Sequence, residues 1–183
     1  MRLAVLASGT GSILDSIVEA GIDVSLVLTD RECSAAQNAK ALGLEVKILE
    51  RKEYGKEFQR YLYTAEIVEV LEKERIELIA MAGFGTILDR PIYEKYEGKI
   101  LNTHPSLLPA FPGWHAVEET LAYGCKMTGC TVHLATLEVD SGPILAQEAV
   151  EVFENDDVVS LHERIKEVER KLYVDIIKEI MKV

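Results

Sequence analysis

"RLAVLASGTGSILDSIVEAG", residues 2–21, joins an apolar run, a glycine-rich turn and a segment with helical periodicity. The apolar run is typical of a strand that is buried on both faces. Beyond the turn, Ile13, Leu14, Ile17 and Val18 recur at the spacing of one helix face, and Gly21 is the kind of residue that ends a helix. A buried strand that turns directly into a helix predicts a parallel sheet with helices packed against it.

The chain up to Gly83 repeats this alternation. The segments "VSLVLTD", "EVKIL" and "ELIAMAG" are typical of buried strands, and "SAAQNAKALG" and "KEFQRYLYTAEIVEVLEKERI" have helical spacing. Regular alternation of strands and helices is the pattern of a parallel sheet with helices on both faces.

After Gly83 the pattern changes. "GCTVHLAT" and "PILAQEAVEV" predict two strands joined by a loop too short for a helical crossover, so they should pair antiparallel. From Asp156 onward we predict a long amphipathic helix, whose inner stripe is formed by Leu161, Ile165, Val168, Leu172 and Ile176. The predicted fold class is α/β: a single-domain, Rossmann-like mixed sheet with a parallel N-terminal half and late antiparallel strands. A length of 183 residues fits one such domain.

The overall composition disfavours several classes of function. A net charge of −11 argues against general nucleic-acid binding, which needs clustered Lys and Arg. No apolar run reaches the ~20 residues of a membrane span, and the N-terminal residues lack the pattern of a signal peptide, so we expect a cytoplasmic location. The three cysteines form no CxxC and predict reduced thiols. The histidines form no HxxxH or HExxH pattern, so we expect no metal site.

The glycine turn is the first place where chemistry is expected. Gly9 and Gly11 let the turn close tightly, and the free N–H groups at the start of the helix favour an anion such as phosphate. Asp30 ends the second strand, at about the distance expected of a dinucleotide fingerprint, so a dinucleotide site is an alternative. A tight turn without a ligand is another. A Walker A loop is excluded because no Lys follows the glycines.

The second place is "ILNTHPSLLPAFPGWH", residues 100–115. Asn102 and His104 lie two residues apart in an extended chain, at the strand end where α/β sheets bind ligands, so their side chains should project to one side. Prolines restrict the loop that follows. An amide donor and an imidazole aimed at one point can hold an oxyanion and move a proton. The alternative is a structural histidine in a proline-rich corner.

The third place is "TLEVDSGPIL", residues 136–145, which carries Glu138 and Asp140. A carboxylate beside His104 would favour the protonated imidazolium. Asp-Ser-Gly-Pro is also ordinary turn chemistry, so a purely structural role for Asp140 stays open.

Four segments occur in order along nearly the whole chain: "VLASGTGS", "AGFGTIL", "LNTHPSLLPAFPG" and "GCTVHLATLEVDSGPILAQEAV". Together they resemble the folate-dependent glycinamide ribonucleotide formyltransferase family. The resemblance implies the formyltransferase fold and the transfer of a formyl group from 10-formyltetrahydrofolate to the amine of glycinamide ribonucleotide, in de novo purine biosynthesis. It also implies a phosphate-binding half over residues 1–83 and a catalytic, folate-binding half over residues 84–183.

The resemblance assigns catalysis to Asn102, His104 and Asp140. Asn102 would donate a hydrogen bond to the tetrahedral oxyanion, and protonated His104 would stabilise that oxyanion and supply a proton. Asp140 would keep His104 charged and position a water that relays protons. No metal is implied, because the imidazolium takes the part of the Lewis acid.

The resemblance also assigns two sets of binding residues. The ribonucleotide is expected to bind through its phosphate and its sugar, at Gly11, Ser12 and Ile13 and at Glu169 respectively. The folate is expected to contact Arg51, Gly85, Thr86, Ile87, Leu88, Asn102, Thr136, Leu137, Glu138, Val139 and Asp140. Two positions depart from the family pattern: the family usually has Asn at position 13, and Met and Arg at positions 85 and 86.

Several alternatives remain open on the sequence. A related folate-dependent formyltransferase with another acceptor, or a formyltetrahydrofolate hydrolase, would use a similar catalytic domain but carry an additional one. A non-catalytic folate- or nucleotide-binding module needs no catalytic trio, and a dinucleotide oxidoreductase leaves "HPSLLP" unexplained. The expected partners are small-molecule substrates, with no nucleic acid and no membrane, and the chain is expected to be a monomer or a homodimer.

Overall fold

The computed structural model describes residues 1–183, which form two compact units, Met1–Leu101 and Asn102–Val183. The strands are β1 (Leu3–Ala7), β2 (Val24–Thr29), β3 (Val46–Ile48), β4 (Leu78–Met81), β5 (Ile100–His104), β6 (Met127–Leu134) and β7 (Ile144–Glu151). The helices are α1 (Ser12–Glu19), α2 (Ser34–Ala41), α3 (Arg60–Lys73), α4 (Arg90–Lys95), α5 (Ala116–Tyr123) and α6 (Val158–Met181).

The seven strands form one mixed sheet in the order β3-β2-β1-β4-β5-β6-β7. In the first unit β1 pairs in parallel with β2 and β4, and β2 pairs in parallel with β3. In the second unit β6 and β7 are antiparallel. The predicted fold class is confirmed, including the antiparallel pair inferred from its short connecting loop.

Burial explains why the first stretch of the sequence determines this architecture. Every residue of β1 has an exposed fraction of zero, as expected for a central strand covered on both faces. In α1 the buried side chains are Ile13, Leu14 and Ile17 of the predicted face, while Val18, the fourth residue of that face, is half-buried. Along the chain, the boundary between the two compact units falls between residues 101 and 102. The predicted division at residues 83 and 84, which concerns binding and catalysis, stays a prediction.

The second unit has its own core, formed by Val117, Cys130, Val150, Leu161 and Ile165. The predicted inner stripe of α6 is buried at Leu161 and Ile165, and Val168 and Leu172 are half-buried and pack against the same core. Farther along the helix Ile176 is half-buried, and the buried residues are Glu169, Tyr173, Val174 and Ile177. Apolar periodicity does not reveal Glu169, because it is a buried carboxylate.

None of the helices has both the length and the apolar character that crossing a bilayer demands.

Candidate active site

The glycine turn places uncapped backbone N–H groups at the start of α1. Gly11 is the N-cap residue, with φ at +86°, and no side chain caps the helix. The turn is also packed closely, because a Cβ at Gly11 would lie 2.9 Å from the Cα of Ala35, whose N–H donates to the carbonyl of Gly9 at 3.0 Å. Both the positive φ and this approach require glycine. The first-turn N–H groups are therefore available to an anion.

Ile13 contributes to this turn through its backbone. Its side chain is only 8% exposed and belongs to the buried face of α1. The residue that the resemblance places in the phosphate loop can thus offer an N–H group to a ligand, while the side chain stabilises the core. The side chain of Ser12 is half-buried.

Asp30, which follows β2, is fully buried, and both oxygens of its carboxylate accept hydrogen bonds. Its carboxylate accepts hydrogen bonds from Nε and Nη2 of Arg31 at 2.9 and 3.1 Å and from Oγ1 of Thr86 at 2.7 Å. Burial by itself would raise the pKa of Asp30. Hydrogen bonds from the side chains of Arg31, Thr86 and Ser8 outweigh burial and lower that pKa below its ordinary 3.8. A carboxylate bound in this way is not free to bind a ribose, which weighs against the dinucleotide alternative.

The segment after β4 presents its backbone rather than its side chains. Thr86 and Leu88 are each 1% exposed, and only Ile87 reaches the surface, at 38%. The N–H of Gly85 donates to Oγ of Ser8 at 2.6 Å. A Cβ at Gly85 would lie 3.3 Å from Nη2 of Arg31, so the absence of a side chain there leaves room for the guanidinium.

Arg51 lies beside the same segment. Its Nη1 is 3.5 Å from Oγ1 of Thr86, and its guanidinium lies 4.4 Å from the ring centroids of both Tyr54 and Phe58. The structure therefore brings together Arg51 and Thr86, two of the residues that the resemblance assigns to folate binding.

In the second unit, the catalytic candidates of the sequence meet in one buried cluster. His104 ends β5, and its Nδ1 lies 3.4 Å from Oδ2 of Asp140; both side chains are 6% exposed. Nε2 of His104 lies 2.8 Å from the carbonyl oxygen of Phe111, and because a carbonyl only accepts, Nε2 carries the proton. Asp140 also accepts from the N–H of Gly113 at 2.8 Å.

Asp140 adopts an unusual backbone conformation, with φ at +54°. This left-handed region is costly for a residue with a side chain, although Asp tolerates it better than most. Asp140 lies in the loop that carries candidate folate residues. Two of these, Leu137 and Val139, are 43% and 47% exposed. The loop is anchored by Gly142, where a Cβ would overlap the carbonyl of Leu134.

Asn102 is held by a residue that the sequence did not single out. Its Nδ2 lies 3.1 Å from Nε2 of His133, a side chain on β6 that is 1% exposed. The same Nε2 lies 3.7 Å from Oδ1 of Asp140. His133 thus links Asn102 to the pair of His104 and Asp140, and the three predicted catalytic residues belong to one cluster.

Glu169 is a buried carboxylate in contact with β5. It is 7% exposed, and its Oε1 accepts a hydrogen bond from Oγ1 of Thr103 at 2.9 Å. Burial raises the pKa of Glu169 above its ordinary 4.5, while the hydrogen bond from Thr103 and the nearby charges of Lys166 and Arg170 lower it in part. Among all 183 residues, no group of three or more His, Cys, Asp or Glu side chains is arranged to hold a metal ion.

Comparison with known proteins matches a family model described as formyl transferase to residues 1–177. The chain belongs to the formyl transferase family. It is 44% identical over 178 residues to the phosphoribosylglycinamide formyltransferase of Mycobacterium tuberculosis, covering 94% of this chain and 81% of that protein. It is 36% identical over 187 residues to the enzyme of the same name from Bacillus subtilis, covering 98% and 94%.

A solved structure has the same fold. The crystal structure of phosphoribosylglycinamide formyltransferase from Streptococcus pneumoniae matches with a TM-score of 0.91 at 35% identity, covering 98% of each chain. The predicted resemblance to this group of enzymes is confirmed, and the chain is a formyltransferase. The roles of individual residues stay predictions.

Two site residues escaped sequence reasoning for an identifiable reason. His133 lies in β6, and the position of this strand beside β5 in the sheet brings it to Asn102. Thr103 lies between the two candidates of β5 and points to Glu169. The alternation of a strand could have indicated that Thr103 faces away from Asn102 and His104.

Proposed function

We propose that this formyl transferase family member transfers the formyl group of 10-formyltetrahydrofolate to the amine of glycinamide ribonucleotide, in de novo purine biosynthesis. The observation that carries the proposal is the buried pair of His104 and Asp140 beside Asn102, in a chain whose relatives bear that activity in their names. A binding module has no need of an imidazole, a carboxylate and an amide together at a strand end.

The reaction needs a charge to be held and a proton to be moved. The amine nitrogen attacks the formyl carbon, which becomes tetrahedral and carries an oxyanion. The bond from that carbon to N10 of the folate then breaks, the amine loses a proton, and N10 gains one. An amide N–H of Asn102 donates to the oxyanion, which is the interaction that strengthens as the charge develops.

His104 acts as the general acid through its geometry. Since Nε2 donates to the carbonyl of Phe111, Nδ1 is the nitrogen that can exchange a proton with the substrate. Its separation of 3.4 Å from Asp140 is longer than an ordinary hydrogen bond, so the proton on Nδ1 is not committed to the carboxylate. Asp140 lies beside the ring of His104 and positions a water that relays protons between the amine and N10.

Binding is assigned to the groups that face ligands in each unit. We assign the phosphate of the ribonucleotide to the N–H groups of Gly11, Ser12 and Ile13, which no side chain caps. Its sugar hydroxyls are assigned to Glu169. The pterin is assigned to the backbone of residues 85–88 and 136–140, together with Arg51 and Asn102, because the side chains of Thr86 and Leu88 are buried.

The same proposal covers the setting of the reaction. We place it in the cytoplasm, with small molecules as the partners and the protein as a monomer or homodimer. Three free cysteines and a net charge of −11 support an enzyme of a reducing compartment that binds no nucleic acid.

A folate product assay with and without glycinamide ribonucleotide tests the proposal. We expect spectrophotometric release of tetrahydrofolate only when the acceptor is present. Equal release without the acceptor would assign the chain to formyltetrahydrofolate hydrolysis. His104→Ala should reduce kcat/KM by about 10²- to 10⁴-fold, as for a lost general acid. His115→Ala is the matched control, because this exposed histidine pairs only with Glu118, and its activity should equal that of the wild type.

A further inference from the structure

His133 has two ring nitrogens with different and defined partners. Nδ1 lies 3.0 Å from the carbonyl oxygen of Leu134, and Nε2 lies 3.1 Å from Nδ2 of Asn102. The side chain is 1% exposed, so neither nitrogen can turn to solvent. Such a buried histidine, held at both nitrogens, is fixed in its ring orientation.

These partners determine the tautomer. A carbonyl oxygen only accepts, so Nδ1 carries the proton and donates it to Leu134. Nε2 of the neutral ring is then a lone pair, and it accepts a hydrogen bond from the amide nitrogen of Asn102. The reverse orientation of that amide would set two acceptors, Oδ1 and Nε2, against each other. His133 therefore selects one of the two orientations of the Asn102 amide.

We propose that neutral His133 is a positioning residue, which orients the Asn102 amide so that its second N–H is presented to the oxyanion of formyl transfer. This inference rests on the proposed function. It extends that function to a residue which makes no contact with the reacting atoms. Placing a hydrogen-bond donor in advance matters because a donor that must first rotate loses part of its effect on the transition state.

The charges around the ring make this arrangement sensitive to acid. The titratable groups that act on His133 are Asp140, whose Oδ1 is 3.7 Å from Nε2, and His104. Burial lowers the pKa of His133 below its ordinary 6.5, the contacts with Leu134 and Asp140 raise it in part, and His104 lowers it further. The net lowering keeps the ring neutral at pH 7, as the positioning role requires.

Protonation of Nε2 would reverse its role. A protonated Nε2 donates, so it can no longer accept from Asn102, and it faces the carboxylate of Asp140 instead. Asp140 would then be shared between His133 and His104. Activity should fall on the acid side for this reason.

Two substitutions separate positioning from packing. His133→Phe keeps a planar ring and removes both nitrogens, so we expect kcat to fall by about 10- to 100-fold, less than or equal to the loss of an oxyanion donor, with little change in either KM. His133→Gln keeps an acceptor and a donor but does not titrate. It should recover most of kcat at pH 7, and it should lose less activity than the wild type at pH values below 6.5, where the lowered pKa of His133 lies.

A double-mutant cycle with Asn102→Ala is the decisive measurement. If His133 acts through Asn102, His133→Phe should cost almost nothing once Asn102 has lost its amide. Equal fold-losses of kcat in the wild-type and Asn102→Ala backgrounds would overturn the proposal, since a structural effect would persist in both.

Ring-nitrogen NMR of the free protein tests the tautomer without any turnover. We expect His133 at pH 7 to show a protonated Nδ1 and an unprotonated Nε2. The opposite tautomer, or a charged ring, would overturn the proposal even if formyl transfer is observed. The two proposals can fail separately. If the expected tautomer is found, and its signal is lost only in the His133→Gln variant, the orientation of Asn102 stands. If glycinamide ribonucleotide is not formylated in that case, the proposed function alone fails.

Discussion

Glu169 shows how one residue can serve binding at the expense of stability. The fold buries its carboxylate in the middle of the inner face of α6, where Thr103 supplies a single hydrogen bond. A carboxylate so placed is more costly to ionise than one in water, which is why its pKa is raised. Sugar hydroxyls are good donors to such a carboxylate, so in the proposed function the bound ribonucleotide would supply further partners to Glu169.

Glu169→Gln tests this trade-off. Gln keeps the acceptor for Thr103 but cannot ionise. A raised folded pKa means that the wild type loses stability as the pH rises from 4.5 through the folded pKa, and the variant does not. We expect the variant to gain stability relative to the wild type with increasing pH in urea unfolding, and to show a higher KM for glycinamide ribonucleotide. A constant stability difference across pH would mean that Glu169 ionises as it does in the unfolded chain.

Thr86 is a second residue where structure changes the expectation of what a side chain does. Its hydroxyl donates to Asp30 at 2.7 Å and is 1% exposed, so it belongs to the core. Thr86→Ala should destabilise the protein by about 1.5–3 kcal/mol, the usual effect of losing a hydrogen bond to a charged group. The KM for folate should change little, because the pterin is assigned to the backbone. Thr86→Ser, which keeps the hydroxyl, is the control. A large rise in that KM would indicate a missed side-chain contact.

At the scale of elements, one glycine in the turn between β1 and α1 meets two structural requirements. Gly11 needs its positive φ to start α1, and it needs the absence of a Cβ because the start of α2 packs on the turn. Gly21, at the other end of α1, has φ at +75° and no atom within 4 Å of its missing Cβ. The two glycines therefore differ only in the close approach.

Gly11→Ala and Gly21→Ala form a matched pair. Both should lose about 1 kcal/mol or more to the left-handed conformation. Gly11→Ala should lose more stability, because the turn must move away from Ala35, and it should also weaken binding of the ribonucleotide phosphate. Thermal unfolding and the KM for glycinamide ribonucleotide measure both effects. Equal destabilisation by the two substitutions would show that the approach to Ala35 relaxes without cost.

The elements also show which parts of the molecule can be predicted. Apolar periodicity and short loops were enough for the parallel half and for the antiparallel pair of β6 and β7, because both follow from local spacing. Along α6, apolar periodicity located residues that pack in the core but could not reveal the buried Glu169. His133 was missed for a different reason. Its contact with Asn102 joins residues 31 apart in the chain, and the position of the strands in the sheet, which no local pattern reveals, decides it.

For the whole molecule, the distribution of charge matters more than its sum. The net charge of −11 includes carboxylates that cap helices, at Asp89 and Asp157, and others that form ion pairs. Asp156 makes a bidentate pair with Arg164, whose guanidinium also lies over the ring of Phe153. Such groups favour the folded state only while they are ionised, so the stability of the protein must depend on pH.

The direction of that dependence follows from the individual groups. Carboxylates with lowered pKa values stabilise the fold above their unfolded pKa and stop doing so as the pH falls through the folded one; they are Asp30, Asp89, Asp156, Asp157 and Glu163. Burial is the main cause of the lowered pKa values of His133 and His162. These two groups make the protein less stable already as the pH falls through 6.5, the unfolded value. Glu169 acts in the opposite direction. We therefore expect a shallow loss below pH 6.5 and a steep loss below 3.8.

Asp30→Asn isolates the contribution of one fully buried carboxylate to the steep loss of stability. The substitution leaves Arg31 without its carboxylate partner, so the variant should be less stable than the wild type at pH 7. Because the pKa of Asp30 is lowered from 3.8, the difference between the two proteins should stay constant down to that pH and then narrow as the wild-type carboxylate takes up a proton. Urea midpoints at intervals between pH 7 and 3 measure this, with Glu97→Gln, at an exposed position, as the control. If the stability curves of the two proteins stay parallel below pH 3.8, protonation of Asp30 does not cause the acid loss of stability.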